Sequence, residues 1–239
     1  MELFNLYKQV ISKAPENSFF ATCGFNICEN DKKVNGKVLI TGINPYGAEN
    51  KEYEEGFYPN PFINKPILYY KKLFEFIPEH EKEKTAYLDL FPFFTPHQSI
   101  LLKNIRKHLC FIGKVLAVTQ KEIERINPCL WIVANKGSWA FIGAAKNAIW
   151  MGYDLQPIND EDLPERLRKF DIRVIKGFRT GAKANEDRIY WPEDGSCKLK
   201  GTIVLMYKHR RGLKKEETIK TEDYIELSRY AKDFKSRYL

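Results

Sequence analysis

Residues 41–47, Thr41-Gly42-Ile43-Asn44-Pro45-Tyr46-Gly47, place a carboxamide between an apolar run and a proline turn, with a phenol directly after it. A carboxamide is a poor base, but it can orient a water molecule or the polar edge of a ligand. Residues 209–213, His209-Arg210-Arg211-Gly212-Leu213, bring an imidazole, two guanidiniums and an apolar side chain into a turn-like setting. An imidazole can donate a hydrogen bond to charge that develops in a transition state, and guanidiniums hold phosphates. Asp89, in Leu88-Asp89-Leu90-Phe91, sets a carboxylate near the end of another apolar run. Ordinary structural roles exist for each: Gly, Asn and Pro end strands routinely, Tyr46 suits a partly buried core position, and basic runs form solvated faces.

Something must bring these residues together, and the apolar pattern says what. Short runs at 37–44, 85–91, 130–135 and 201–208 are rich in β-branched or aromatic residues and bounded by Gly, Pro or charge, as strands covered on both faces are. Helical spacing recurs at 64–77, at 98–126 with a break expected near Gly113, at 138–151 with Ser138 as N-cap, and at 222–236. Alternating strands and helices predict an α/β fold with a largely parallel sheet. Ligands of such sheets gather at the carboxyl ends of the strands, so the segments after Ile43, Leu90, Ala134 and Tyr207 are where chemistry is expected. The stretch 164–200 breaks the rhythm and predicts a hairpin, 171–177 with 188–191, inserted before the last strand. No linker divides the chain, so residues 1–239 are read as one domain.

Composition narrows the classes. The chain has 239 residues, 44% of them hydrophobic and 29% charged, which excludes a disordered, collagen-like or low-complexity protein. No apolar run approaches the roughly 20 residues of a membrane-spanning helix, and the first residues lack the order of a secretory signal, so no membrane association is expected. Cys23, Cys28, Cys110, Cys129 and Cys197 are odd in number and scattered, as in reduced thiols; with the missing signal this predicts a cytoplasmic protein. No phosphate-binding glycine loop, zinc spacing or serine-nucleophile turn occurs. The net charge is +8, and 164–211 holds 13 Lys and Arg against 6 Asp and Glu, either a solvated face or a surface for a polyanion.

The two segments at 41–47 and 209–213, in this order, resemble the two motifs of the uracil-DNA glycosylase superfamily. The Gly42-Ile43-Asn44-Pro45 form is most similar to the mismatch-specific thymine/uracil glycosylases, and Gly56-Phe57-Tyr58-Pro59 lies where that family places a base-stacking aromatic. The resemblance covers roughly residues 37–213. It implies a three-layer α/β/α fold around a central four-stranded parallel sheet, with the hairpin as an insertion. It also implies hydrolysis of the N-glycosidic bond of a damaged or deaminated, uracil-like base in DNA, single- or double-stranded, in base-excision repair. Such an enzyme must take the base out of the stack, at a cost of a few kcal/mol. Under the resemblance Asn44 positions the attacking water and His209 stabilises the departing base. Gly42, Ile43, Pro45, Tyr46, Phe57 and Asp89 line the base pocket. Leu213 forms the wedge that fills the vacated stack, Gly212 lies with it in the DNA-binding segment, and Arg210 and Arg211 hold phosphates.

The sequence also departs from that pattern. Tyr46 resembles the strict uracil enzymes, in which the ring excludes a 5-methyl group. Asp89 stands where relatives offer an amide to the pyrimidine edge; a carboxylate only accepts hydrogen bonds, so it would read an amino- or imino-bearing edge or help activate the water. Arg210 and Arg211 replace a Pro-Ser pair. Some members hold an iron–sulfur cluster, but Phe91-Pro92-Phe93 occupies the place of a ligand, so no cofactor and no metal are expected. Two alternatives stay open: a superfamily member that binds nucleic acid with altered or lost catalysis, and a hydrolase of small N-glycosides such as nucleosides.

Overall fold

A computed structural model describes residues 2–30, 38–45, 56–59, 74–145, 148–181, 188–190, 192–207 and 218–238. Its centre is a six-stranded mixed sheet. The strands are β2 (Val38–Gly42), β4 (Thr85–Asp89), β5 (Leu130–Val133), β6 (Tyr153–Pro157), β7 (Ile172–Phe178) and β8 (Ile203–Met206), in the order β4-β2-β5-β8-β7-β6. β4, β2, β5 and β8 are parallel to one another, β7 pairs antiparallel with β8, and β6 antiparallel with β7. Two further strands, β1 (Asn26–Glu29) and β3 (Gly56–Pro59), pair in parallel as a separate small sheet.

The four parallel strands form because their residues are apolar on both faces. Leu39, Leu88, Trp131, Val133, Val204 and Met206 point to one side. There they meet α1 (Glu2–Ile11), α4 (Gln98–Ile105) and α5 (Leu109–Ile126) through Tyr7, Leu101, Ile112 and Val115. Val38, Ile40, Tyr87, Ile132, Ile203 and Leu205 point to the other side. They pack on Tyr224, Leu227 and Ala231 of α6 (Thr221–Lys235) and on Phe74 and Phe76. Among the described residues there are also two short helices, α2 (Phe19–Thr22) and α3 (Glu79–Lys82). Among the described residues no helix is long and apolar enough to cross a membrane.

Four expectations need correction. The sheet has six strands and is mixed, where four parallel strands were expected. The hairpin partner of 172–178 is 153–157, and Arg188 makes only an isolated bridge to Trp150. Asp154 and Gln156 alternate with Tyr153 and Leu155, so this edge strand is half polar and lacks the continuous apolar signature of a buried one. The helix expected at 138–151 is replaced by a three-residue 3-10 turn, Lys136–Ser138, and irregular chain. Gly143 has φ +100° and its Cα faces the Tyr153 backbone so closely that a Cβ would collide with it, which a helix could not accommodate. The break in 98–126 falls at 106–108, and Gly113 lies inside α5. α5 ends on Asn127 in the left-handed region, with Pro128 following. Most of 64–77 lies outside the described residues.

At the amino-terminal end of the strands Lys235 is 2% exposed and ties three elements together. Its Nζ donates to Asn127 Oδ1 at 2.5 Å, Pro128 O at 2.8 Å and Thr202 Oγ1 at 2.9 Å. Burial lowers its pKa to about 8, against a weaker opposing pull from the nearby Cys129 and Cys197. Between about pH 8 and the unfolded value near 10.4 the unfolded chain keeps a proton that the folded chain has lost, so stability rises with pH across that window. Urea unfolding at pH 7.5 and 9.5 should show wild type gaining on Lys235→Met at the higher pH; a constant difference would mean that Lys235 titrates normally.

Candidate active site

The chain passes from β2 outward to β4, returns across β2 to β5, and goes on to β8. Connections therefore leave β2 and β5 in opposite directions, and the crevice of an α/β sheet opens at such a switch point. The register fixes its height. Gly42 pairs with Asp89, the Ala134 N–H donates to Thr41 O at 3.0 Å, and the Tyr207 N–H donates to Val133 O at 3.1 Å. Asp89, Gly42, Ala134 and Tyr207 thus form one row across the carboxyl edge. β2 and β8 have one strand between them, which sets them roughly 10 Å apart.

Asn44 leaves β2 at this crevice with its amide fixed. Nδ2 donates to Pro45 O at 2.8 Å and Thr95 Oγ1 at 2.9 Å, with a longer contact to Phe93 O at 3.4 Å. Thr95 is buried and its hydroxyl donates onward to His97 O at 3.2 Å. With both amide hydrogens turned inward, Oδ1 is left as an acceptor, and it receives no hydrogen bond from any described residue. Asn44 can therefore accept from a water or a ligand N–H.

On the other side of the crevice stands Asn135, one residue beyond Ala134. Its Oδ1 accepts from the Gly137 N–H at 2.8 Å, which caps the 3-10 turn. Asn135 and Gln98 then form a reciprocal amide pair: Asn135 Nδ2 donates to Gln98 Oε1 at 3.1 Å, and Gln98 Nε2 donates to Asn135 Oδ1 at 3.4 Å. Gln98 is the first residue of α4. Gly137 fits between Gln98, Asn135 and Ile43 only because it has no side chain; a Cβ there would collide with Gln98 Nε2. Both amides are half-buried.

Asp89 is 5% exposed, and its Oδ1 accepts from the Tyr87 hydroxyl at 3.0 Å. Both groups lie directly over Gly42, so that a Cβ at 42 would fall within contact distance of Asp89 Oδ1 and Tyr87 Oη. Burial raises the pKa of Tyr207 in the same row. A cavity of about 340 Å³ opens beside Tyr207, between Phe76 and Lys220. It lies on the sheet face that carries α6, whereas Ile43 and Phe93 beside Asn44 belong to the core of the opposite face.

Of the residues expected at a site, Gly42, Ile43, Asn44, Pro45 and Asp89 stand together at this edge. The backbone of Phe57 lies in β3, paired with Ile27; β1 adjoins the same edge because the Asn26 N–H donates to Pro92 O at 2.9 Å. Tyr46, His209, Arg210, Arg211, Gly212 and Leu213 lie outside the described residues. The basic excess of 164–211 is not gathered on one surface among the described residues. Arg173 pairs with Asp171, Arg166 and Lys169 face Asp223, and Arg188 is 7% exposed against the Phe178 ring. Lys176 and Lys200 face Tyr238, after the end of α6.

Thr95, Gln98 and Asn135 were not singled out as site residues, although Asn135 opens the segment after Ala134 where chemistry was expected. Asn135 had a signal, since it follows an apolar run directly, as Asn44 does. Compared with family models, with curated proteins and with solved structures, the chain matches none.

Gly42→Ala should cost about 1–3 kcal/mol in urea unfolding, because the added methyl must push Tyr87 or Asp89 aside. Tyr87→Phe removes one of the two obstructing atoms, so the double variant should lose less than the sum of the single losses. Strict additivity would place the strain elsewhere.

Proposed function

We propose that the protein is a DNA glycosylase that hydrolyses the N-glycosidic bond of an everted, uracil-like base, and that Asn44 positions the water. The observation that carries this reading is the pinned amide of Asn44 at the switch point, with Oδ1 left to accept. A water donating one hydrogen to Oδ1 has a lone pair free to attack C1′ of the sugar. Asn44 removes no proton outright, so its contribution is orientation, and the reaction depends on stabilising the departing base.

Under this reading the base leaves as an anion that accepts a hydrogen bond from His209, two residues beyond Tyr207 in the sequence. The resemblance of residues 42–45 and 209–213 to the uracil-DNA glycosylase motifs supports the assignment, as does the emergence of β2 and β8 on one edge. Leu213 would fill the vacated stack, with Arg210 and Arg211 on the flanking phosphates. Thr95 acts through Asn44: its hydroxyl oxygen accepts one amide hydrogen while Pro45 O takes the other, and together they decide which amide atom faces the substrate.

A second reading, hydrolysis of a free nucleoside, is favoured by the dispersal of the described basic residues, with Arg166 and Lys169 facing Asp223 and Lys176 and Lys200 facing Tyr238. The two readings part in their salt dependence, because binding that neutralises phosphates weakens steeply with salt and nucleoside binding does not.

Oligonucleotides each carrying one altered base should become alkali-labile at that base when incubated with the protein, uracil among them. Asn44→Ala should lower the single-turnover rate about 100-fold or more while the protein still unfolds cooperatively. Thr95→Val should lower the rate with little change in KM, and Thr95→Ser should restore it. No alkali-labile product across the panel, or full activity in Asn44→Ala, would sink the reading.

A further inference from the structure

Within the crevice, Gln98 occupies Asn135 in the way a ligand would. Its carboxamide presents an N–H beside a C=O, and Asn135 answers with Oδ1 and Nδ2 at 3.4 and 3.1 Å. The lactam edge of a nucleobase, with a ring N–H next to a carbonyl, carries the same two groups on adjacent atoms. We propose that Asn135 recognises the base and that Gln98 is an internal stand-in for it, displaced when a carbonyl-edged base such as uracil or hypoxanthine enters. This deepens the glycosylase reading and rests on it for the place of the base.

Three observations support the assignment. Asn135 cannot swap its amide ends at no cost, because the Gly137 N–H donates to Oδ1 and would face another donor after a flip. The order acceptor-then-donor is therefore set before any ligand arrives. A cytosine held in the same pose offers its donor and acceptor in the reverse order, so the fixed amide discriminates carbonyl-edged from amino-edged bases. Second, the pair is half-buried at the switch point, and Gln98 hangs on a flexible side chain at the first turn of α4. Its 3.4 Å bond is at the limit of a useful hydrogen bond, so exchanging it for a ligand forfeits little. Third, Asp89, the last residue of β4 and another polar side chain of this edge, is 5% exposed and already accepts from Tyr87.

Displacement gives the two partners opposite signatures. Removing Asn135 removes the reader, whereas removing Gln98 removes a competitor. The probe is a single-stranded oligonucleotide with one central 2′-fluorodeoxyuridine, whose glycosidic bond resists hydrolysis because fluorine destabilises the cationic sugar. Its affinity is compared with that of the same strand carrying an abasic analogue or deoxycytidine.

Wild type should bind the fluorodeoxyuridine strand more tightly than both controls. Asn135→Asp, which keeps the acceptor for the Gly137 N–H and loses the donor, should bring that preference down at least tenfold, and Asn135→Ala should abolish it. Gln98→Ala should tighten binding of the fluorodeoxyuridine strand about threefold and leave the abasic strand unchanged. The proposal is overturned if wild type binds the three strands equally, if Asn135→Asp keeps the preference, or if Gln98→Ala weakens binding as Asn135→Ala does. Excision of uracil that survives Asn135→Ala at full selectivity refutes this assignment and leaves the glycosylase reading standing. Base-selective binding that follows Asn135 and Gln98, with no excision of any base, does the reverse.

Discussion

Parallel strands cannot be joined by a tight turn, and the rest of this structure follows from that constraint. Each of β2, β4 and β5 must send the chain back over a face of the sheet before the next strand begins. Every residue that directly follows a parallel strand therefore arrives at one edge, whatever its distance in sequence. Asn44, the segment after Asp89, and Asn135 meet there although more than 90 residues separate the first from the last. The order β4-β2-β5-β8 then selects one place along that edge, because only between β2 and β5 do the departing connections diverge. The crevice is a consequence of connectivity, and its chemistry is left to whichever side chains come first after the apolar runs.

In this protein those side chains are amides, and they also satisfy the backbone where the ladder stops. Asn30 pairs with both backbone groups of Tyr87, donating to its carbonyl at 2.7 Å and accepting from its N–H at 2.9 Å, and so closes the outer edge of β4. Asn44 reaches the carbonyl of Pro45, and Asn135 takes the N–H of Gly137. An unmet backbone group in such half-buried positions costs about 1–3 kcal/mol, so each amide stabilises its own turn. The structural duty explains why the amides are so well oriented. Asn44 and Asn135 each have one end committed to the backbone, which gives the other a defined direction for a ligand.

How much of this was legible in the residues depended on whether burial was uniform. β2, β4, β5 and β8 are covered on both faces, so their apolar runs were unambiguous, and α6 was legible from its spacing. β6 is an edge strand with Asp154 and Gln156 among its five residues, and its pairing with β7 is decided by tertiary contact that the local pattern does not record. The irregular chain after Ser138 was hidden for another reason: its apolar residues do repeat at helical intervals, but the close passage of Gly143 against Tyr153 forbids the helix. At the site, Asn44 stood out because Pro45 follows it. Asn135 lay behind an equally apolar strand, yet its partner Gln98 comes from a helix after a different strand, and no local spacing joins the two. The reciprocal pair exists only in three dimensions.

The two ends of the parallel sheet handle polar groups in opposite ways, and the contrast bears on what the crevice can do. At the amino-terminal end a single ammonium, Lys235, is sealed in by three neutral acceptors, an arrangement that holds elements together and offers nothing to a ligand. At the carboxyl end the described groups include neutral amides left half-open and a buried carboxylate, Asp89, that accepts from Tyr87. The amides of Asn44, Gln98 and Asn135 are uncharged and take up no proton near neutral pH. What they can do is fix the direction of hydrogen bonds, accepting at Asn44 and both accepting and donating at Asn135. That capacity suits a planar, uncharged ligand whose edge carries both kinds of group. Under the proposed reading the amides contribute orientation and no base, so acceleration of bond cleavage comes from stabilising the leaving fragment.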